Sequence, residues 1–208
     1  FAVYRDLDDE SLKAAATGSV TSLAREYGLV PVAVDPILAE VLLDIAGRSL
    51  YCQETGGDYF DYIFRSGPAG AQRLCVAVGD VVGHGISAAL LMTTVRALLR
   101  CRLDQPVSIA EAVCDVNRLL YQDTAPSGSF VTLFLLEVDS AAGSLEWVRA
   151  GHDPGWVDCA ATDAVQDLGG PGMALGVDDA CSYLSGFRSG LGADDVLLIG
   201  TDGIWETR

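Results

Sequence analysis

Two segments with helical periodicity stand between runs of short, alternating strands, and this order limits the fold more than any other feature of the chain. The first, from Ile86 to about Arg102, is apolar on most sides, which predicts a helix buried between layers. The second opens at Ser108 with Glu111 three residues later, a capping box, and carries Ile109, Ala112, Val113, Val116, Leu119 and Leu120 on one face. Around this pair, ILAEVLLDIAG (37–47), YFDYIF (59–64), LCVAV (74–78), FVTLFLLEV (130–138), SLEWVRA (144–150) and VLLIGT (196–201) read as strands, several of them with a period of two. Short turns such as SGPAG (66–70) and DSAAG (139–143) join them, which favours antiparallel pairing. Strands, then two helices, then strands again imply an α+β layered domain rather than the βαβ alternation of a doubly wound sheet.

Upstream, residues 9–28 place Leu12, Ala15, Ala16, Val20, Leu23, Ala24 and Tyr27 at helical spacing, closed by Gly28. The stripe is thin and suits either a linker helix or a cover on the core. Pro31 and Pro36 then mark a boundary, dividing the chain into a linker or regulatory segment (1–36) and a main domain (37–208). The sequence opens on Phe1 rather than Met and stops at Arg208 just past an acidic turn, so a piece of a longer polypeptide is expected.

At 208 residues the chain can bury a full core without disulfides or a structural metal. Its 29 Asp and Glu against 13 Lys and Arg leave a net charge of -16, which repels nucleic-acid backbones and anionic membranes. That surplus is either a solvated surface or, in part, a carboxylate site for cations. Cys52, Cys75, Cys101, Cys114, Cys159 and Cys181 form no C-x-x-C pair and mostly lie in apolar runs, which predicts reduced, buried thiols and a cytoplasmic setting. No apolar stretch reaches the roughly 20 residues of a membrane span, although a full-length protein could be tethered through a region outside this sequence.

Three acidic turns stand at strand ends: Gly56-Gly57-Asp58, Gly79-Asp80 and Thr201-Asp202-Gly203. Each alone is also an ordinary turn signal. Together they could supply the oxygens that Mg²⁺ or Mn²⁺ require, and paired ions of that kind clamp a phosphoryl oxygen during phosphate-ester hydrolysis. The stretch Gly79-Asp80-Val81-Val82-Gly83-His84-Gly85 runs into the first helix, whose N-terminus favours negative charge, but its spacing is not a dinucleotide fingerprint. His84 could move a proton or merely bond loop backbone, and His152, in Ala150-Gly151-His152-Asp153-Pro154, reads mainly as a turn residue. Two histidines and scattered cysteines argue against tetrahedral zinc, and the absence of a G-x-S-x-G elbow sets a serine hydrolase aside.

GGDYFDYI (56–63), VAVGDVVGHGISAALLM (76–92), SFVTLFLLEVD (129–139), RAGHDPGWV (149–157), GGPGMALGV (169–177) and LLIGTDGIWET (197–207) occur together and in order. In this the chain, from about Val41 to Arg208, resembles the bacterial metal-dependent serine/threonine phosphatases of the protein phosphatase 2C superfamily, in the branch of stage II sporulation protein E and the sigma-B regulatory phosphatases. The resemblance implies an α-β-β-α sandwich of two antiparallel sheets flanked by helices, with two Mn²⁺ or Mg²⁺ ions at one edge and a bridging water as nucleophile. It makes Asp58, Asp80, the Val81 backbone carbonyl and Asp202 the metal ligands. It further implies a phosphorylated anti-sigma-factor antagonist as substrate and an upstream sensor or receiver domain in the same polypeptide, with the helix ending at Gly28 as regulatory linker.

The chain departs from the family pattern in three places. Val82 stands where GDVSGHG has serine, and Asp153 and Gly155 alter the proline-rich turn after Gly-His. No counterpart of the family's closing Asp-Asp-Thr strand is present, so the domain is expected to be C-terminally incomplete and one carboxylate short. A non-catalytic module that uses the same fold to bind a signalling partner is the alternative, and a homodimer built through residues 9–28 is a weaker third.

Overall fold

The computed structural model describes Ile45, Gly47 and residues 57–67, 71–192 and 194–201. The expected helix at 9–28, nearly all of the strand at 37–47, and Asp202 lie outside the described residues.

Among the described residues, eight strands and two helices follow one another as β1 (Tyr59–Ser66), β2 (Gln72–Val81), α1 (Ile86–Leu103), α2 (Ile109–Thr124), β3 (Val131–Asp139), β4 (Ser144–Ala150), β5 (Gly155–Cys159), β6 (Ala164–Leu168), β7 (Ser185–Ser189) and β8 (Val196–Leu198). A five-stranded sheet has the order β1-β2-β3-β4-β7 and a three-stranded sheet the order β6-β5-β8, with antiparallel pairing throughout. The expected α+β class of two antiparallel sheets with helices is what forms.

Strand periodicity sorts the five-stranded sheet into two faces. Tyr59, Ile63, Cys75, Ala77, Val131, Leu133, Leu135 and Val148 pack under the helices. Leu74, Val76, Val78, Phe134, Leu136, Val138, Leu145 and Trp147 meet Val157, Leu168 and Ile199 of the second sheet. The central strands β2 and β3 are therefore apolar on both faces, which is why LCVAV and LFLLEV read as near-continuous hydrophobic runs. Among the described residues both helices cover the same face.

The capping box of α2 forms as expected, with the Ser108 hydroxyl accepting from the Glu111 N–H and the Glu111 carboxylate accepting from the Ser108 N–H at 2.9 Å. The first helix differs from expectation. Ala88, Val95, Leu99 and Leu103 are buried, but Ile86 is 75% and Leu90 64% exposed, so among the described residues α1 presents one stripe inward and is not sandwiched between layers. Its outward side has no layer above it among the described residues, and an all-round apolar composition cannot reveal which side will be covered.

The five described cysteines are free thiols, yet Cys75 alone among them is fully buried and Cys101 is exposed on α1. Three strands were not evident from sequence. AVQDL (β6) is exposed at four of its five positions and SGFRS (β7) is a half-exposed edge strand, so neither carries an apolar period, while β5 is a five-residue strand that begins directly after the turn read at Ala150–Pro154.

Candidate active site

Strand direction brings the acidic turns toward one end of the molecule. β1 leaves that end at Tyr59, β2 arrives there at Val81, and their ladder closes with Tyr59 opposite Gly79, so Asp58 and Asp80 follow one step beyond the last pair. Side-chain alternation puts both on the parity that faces the second sheet, together with Thr132, the partner of Asp80 on β3. β4 ends at the same level: Gly151 bridges to Leu133, and Leu175 exchanges two backbone hydrogen bonds with Val131 at 3.0 and 2.8 Å.

The second sheet points its last strand the same way. β5 starts at Gly155 and pairs with β8 in the register Trp156 to Leu198, so Thr201 emerges level with the turn at Asp153. Gly155 lies against Phe134 and Ile199, which joins the sheets there. Thr201 is buried, and Asp202, the next residue, lies outside the described residues.

Gly57 shows how close the first two turns come. The Val81 N–H donates to the Gly57 carbonyl at 3.3 Å. A Cβ on Gly57 would stand 2.7 Å from the Val81 carbonyl oxygen and 3.1 Å from Asp80 Oδ1. The bare Cα thus leaves a cradle into which one carbonyl and one carboxylate oxygen converge, beside Asp58. These are hard oxygen donors of the kind that Mg²⁺ and Mn²⁺ take, and they fit such an ion. Among the described residues, no three His, Cys, Asp or Glu side chains gather as a metal cluster.

Val82, Gly83, His84 and Gly85 link the site to α1. Gly83 and Gly85 have φ of 93° and 82°, a region costly for other residues, and His84 between them is exposed. Gly85 caps α1 without any side-chain hydrogen bond. His152 is buried, with its backbone carbonyl accepting from Arg149 Nε, while Arg149 Nη1 donates to the Gly170 carbonyl at 3.0 Å. Arg149 thereby stitches together the two loops that border the site.

Sequence reasoning overlooked Gly57 as a spacer, Thr132, Arg149 and Asp61. Of these, Asp61 carried a readable signal, a lone carboxylate among the apolar residues of YFDYIF and on their inward parity.

The layering and the site end define a class: the chain has a protein phosphatase 2C-like α+β fold. The phosphatase domain of the cell fate determinant SpoIIE from Bacillus subtilis shares it, with a TM-score of 0.60 at 20% identity over 74% of this chain and 43% of that one. The RsbU and RsbW domains of Rv1364c from Mycobacterium tuberculosis give a TM-score of 0.60 at 28% identity over 76% of this chain and 42% of that one. Residues 70–208 match the family model described as Stage II sporulation protein E, and the chain belongs to that family.

Among curated relatives, the phosphoserine phosphatase RsbU of Bacillus subtilis (strain 168) is 25% identical over 81% of this chain, and the phosphoserine phosphatase RsbP of the same organism 28% over 74%. The chain spans 48% and 37% of their respective lengths. Phosphatases of this fold are metal dependent as a class. No helix among the described residues is long and apolar enough to cross a membrane.

Proposed function

We propose that the chain is the metal-dependent phosphoserine/phosphothreonine phosphatase domain of a cytoplasmic bacterial signalling protein. Its substrate in this reading is a phosphorylated anti-sigma-factor antagonist, and residues 1–36 link the domain at 37–208 to an upstream sensor or receiver. The observation that carries the reading is the Gly57 cradle, where the Val81 carbonyl and the Asp80 carboxylate converge beside Asp58. The relatives RsbU and RsbP, both named phosphoserine phosphatases, support it.

Asp58, Asp80, the Val81 carbonyl and Asp202 would hold two Mn²⁺ or Mg²⁺ ions, with Asp202 following the strand that ends at this level. Bound there, the ions would supply charge neutralisation on the phosphoryl oxygens and lower the pKa of water. The chain's own contribution is placement: the β1–β2 ladder sets Asp58 against Asp80, and inter-sheet packing brings the end of β8 toward them. His84, exposed on the adjoining turn, is within the segment from which a proton could pass to the leaving seryl oxygen.

The test is Mn²⁺-dependent hydrolysis of p-nitrophenyl phosphate by this chain and by one extended by its native downstream residues, with Asp80→Ala as control. Metal-dependent turnover that Asp80→Ala abolishes is expected. Folded protein without turnover in either length would replace the reading with a binding module that keeps the fold for partner recognition.

A further inference from the structure

The Asp61 carboxylate lies on the helix face of β1, between Tyr59 and Ile63, and is 8% exposed. Arg100 of α1 grips it in a two-pronged bond, Nε to Oδ2 and Nη2 to Oδ1, both at 2.6 Å. Arg96, one turn earlier, adds Nε at 3.4 Å, the Tyr59 hydroxyl donates at 3.1 Å, and the Tyr62 N–H donates at 3.0 Å. Arg100 Nη2 also reaches the Tyr62 carbonyl at 3.2 Å. A buried carboxylate so fully paired on two elements has one geometry, because each prong of the guanidinium must meet its own oxygen.

What α1 needs is such a constraint. Toward its N-terminus only Ala88 is fully buried before Val95, Leu91 and Met92 pack on the core half-buried, and Ile86, Ser87 and Leu90 are exposed. Apolar contacts are non-directional and fix the register of the helix less sharply than a two-pronged ion pair does. The turn between β2 and α1 has no side-chain cap at Gly85, so its placement depends on its two ends. The β2 end is held by ladders on both sides. The α1 end is a rigid rod from Ile86 to Arg96, ten helical rises and about 15 Å long, so a tilt of about 5° at the clamp moves Gly85 by about 1 Å.

We propose that Asp61, held by Arg100 and Arg96, is a positioning residue that sets the register of α1 on β1 and thereby the placement of the Val81–Gly85 turn against Asp58. The proposal rests on the phosphatase reading for its catalytic consequence and on geometry alone for its structural one. Asp61 does not itself touch the candidate ligands, since it stands on the opposite parity of β1 from Asp58.

The experiment compares the wild-type chain, extended by its native downstream residues, with Asp61→Asn, Arg100→Lys and Glu137→Gln. Glu137→Gln is the control because it breaks a comparably buried ion cluster in which Arg65 and Arg73 hold the Glu137 carboxylate. Three quantities are read: the Mn²⁺ concentration giving half-maximal p-nitrophenyl phosphate hydrolysis, Mn²⁺ binding by calorimetry, and hydrogen exchange of residues 82–90 without metal.

Asp61→Asn should raise the half-maximal Mn²⁺ at least fivefold, with a matching loss in calorimetric affinity and faster exchange at 82–90, while kcat at saturating Mn²⁺ stays within twofold. Arg100→Lys, which keeps the charge but loses the fork, should lie between it and wild type and carries the test if Asp61→Asn does not fold. Glu137→Gln should lower the urea midpoint and leave metal dependence and exchange at 82–90 as in wild type. Wild-type behaviour of both clamp variants, or equal shifts in Glu137→Gln, overturns the proposal. If the wild-type chain neither binds Mn²⁺ nor turns over, the phosphatase reading fails, and the exchange comparison alone then decides whether the clamp places the turn.

Discussion

Gly57 and Val81 face each other across the entry of β1 and the exit of β2, joined by the hydrogen bond from the Val81 N–H to the Gly57 carbonyl. The space that a Cβ on Gly57 would need is already taken by the Val81 carbonyl oxygen, at 2.7 Å. Backbone cannot yield as a flexible side chain can. Gly57→Ala should therefore displace the Val81 carbonyl or Asp80, reduce Mn²⁺-dependent turnover at least tenfold, and cost about 1–3 kcal/mol of stability. Parallel activity assays and urea titrations check both, and an unchanged Mn²⁺ dependence would remove Val81 from the proposed ligand set.

Glu137 is 4% exposed and holds Arg65 at 3.2 Å and Arg73 at 2.7 Å, while Arg65 also donates to the Val107 carbonyl and ties β1 to the α1–α2 connection. Replacing Glu137 by Gln leaves the buried Arg65 guanidinium short of its counter-charge, while Arg73 keeps Asp139 at 3.1 Å. A loss of about 3 kcal/mol is expected in equilibrium urea unfolding.

Asn117 is buried on α2 and clamps the loop beyond β6, donating to the Asp178 carbonyl at 2.7 Å and accepting from the Gly176 N–H at 2.8 Å. Asn117→Leu has comparable bulk but strands both backbone groups. It should cost about 2–3 kcal/mol and speed hydrogen exchange at Leu175 and Gly176, whose neighbour Val131 borders the site.

The α2 cap carries a pH dependence. The Ser108 backbone N–H, and then its hydroxyl, hold the Glu111 carboxyl below the ordinary range. A carboxyl lowered on folding contributes fully above its unfolded pKa and ceases to contribute as pH falls through its folded value. The difference in melting temperature between wild type and Glu111→Gln should therefore be largest near neutral pH and shrink toward zero in acid. A difference that grew on acidification would contradict the capping role.

The cysteines should separate by reactivity. Burial, and then the neighbouring Glu137, push the Cys75 thiol up, and its Sγ lies 3.6 Å from the Glu137 carboxylate, whereas Cys101 is exposed on α1. Since the thiolate is the nucleophile, iodoacetamide should label Cys101 in the native protein and Cys75 only after unfolding. Mass spectrometry of tryptic peptides reads this directly.

Much of the scaffold was legible as local pattern. Ser108 and Glu111 announce the start of α2 because a capping box needs only four consecutive residues. SLEWVRA forms β4 over the expected residues 144–150 because its alternation matches a strand with unlike faces. β6 and β7 were silent, since an exposed strand has no apolar face to imprint on its sequence. The apolar composition of α1 gave the helix and misled about its burial, because the covering of one side is a property of neighbours rather than of the segment.

The sequence by itself determined the strand and helix alphabet, the acidic turns at strand ends, and the family likeness, all of which reside in residues near one another along the chain. Only the tertiary structure decided which groups meet. Gly57 faces Val81 and Asp80 because antiparallel pairing brings together turns more than twenty residues apart. Asp61 finds Arg100, 39 residues away, because a carboxylate on the inward parity of a buried strand must be paired, and the helix that crosses above it supplies the partner. Nothing local encodes that meeting, since the alternation of YFDYIF fixes a face, while the register of α1 upon it is set by packing and by that bond.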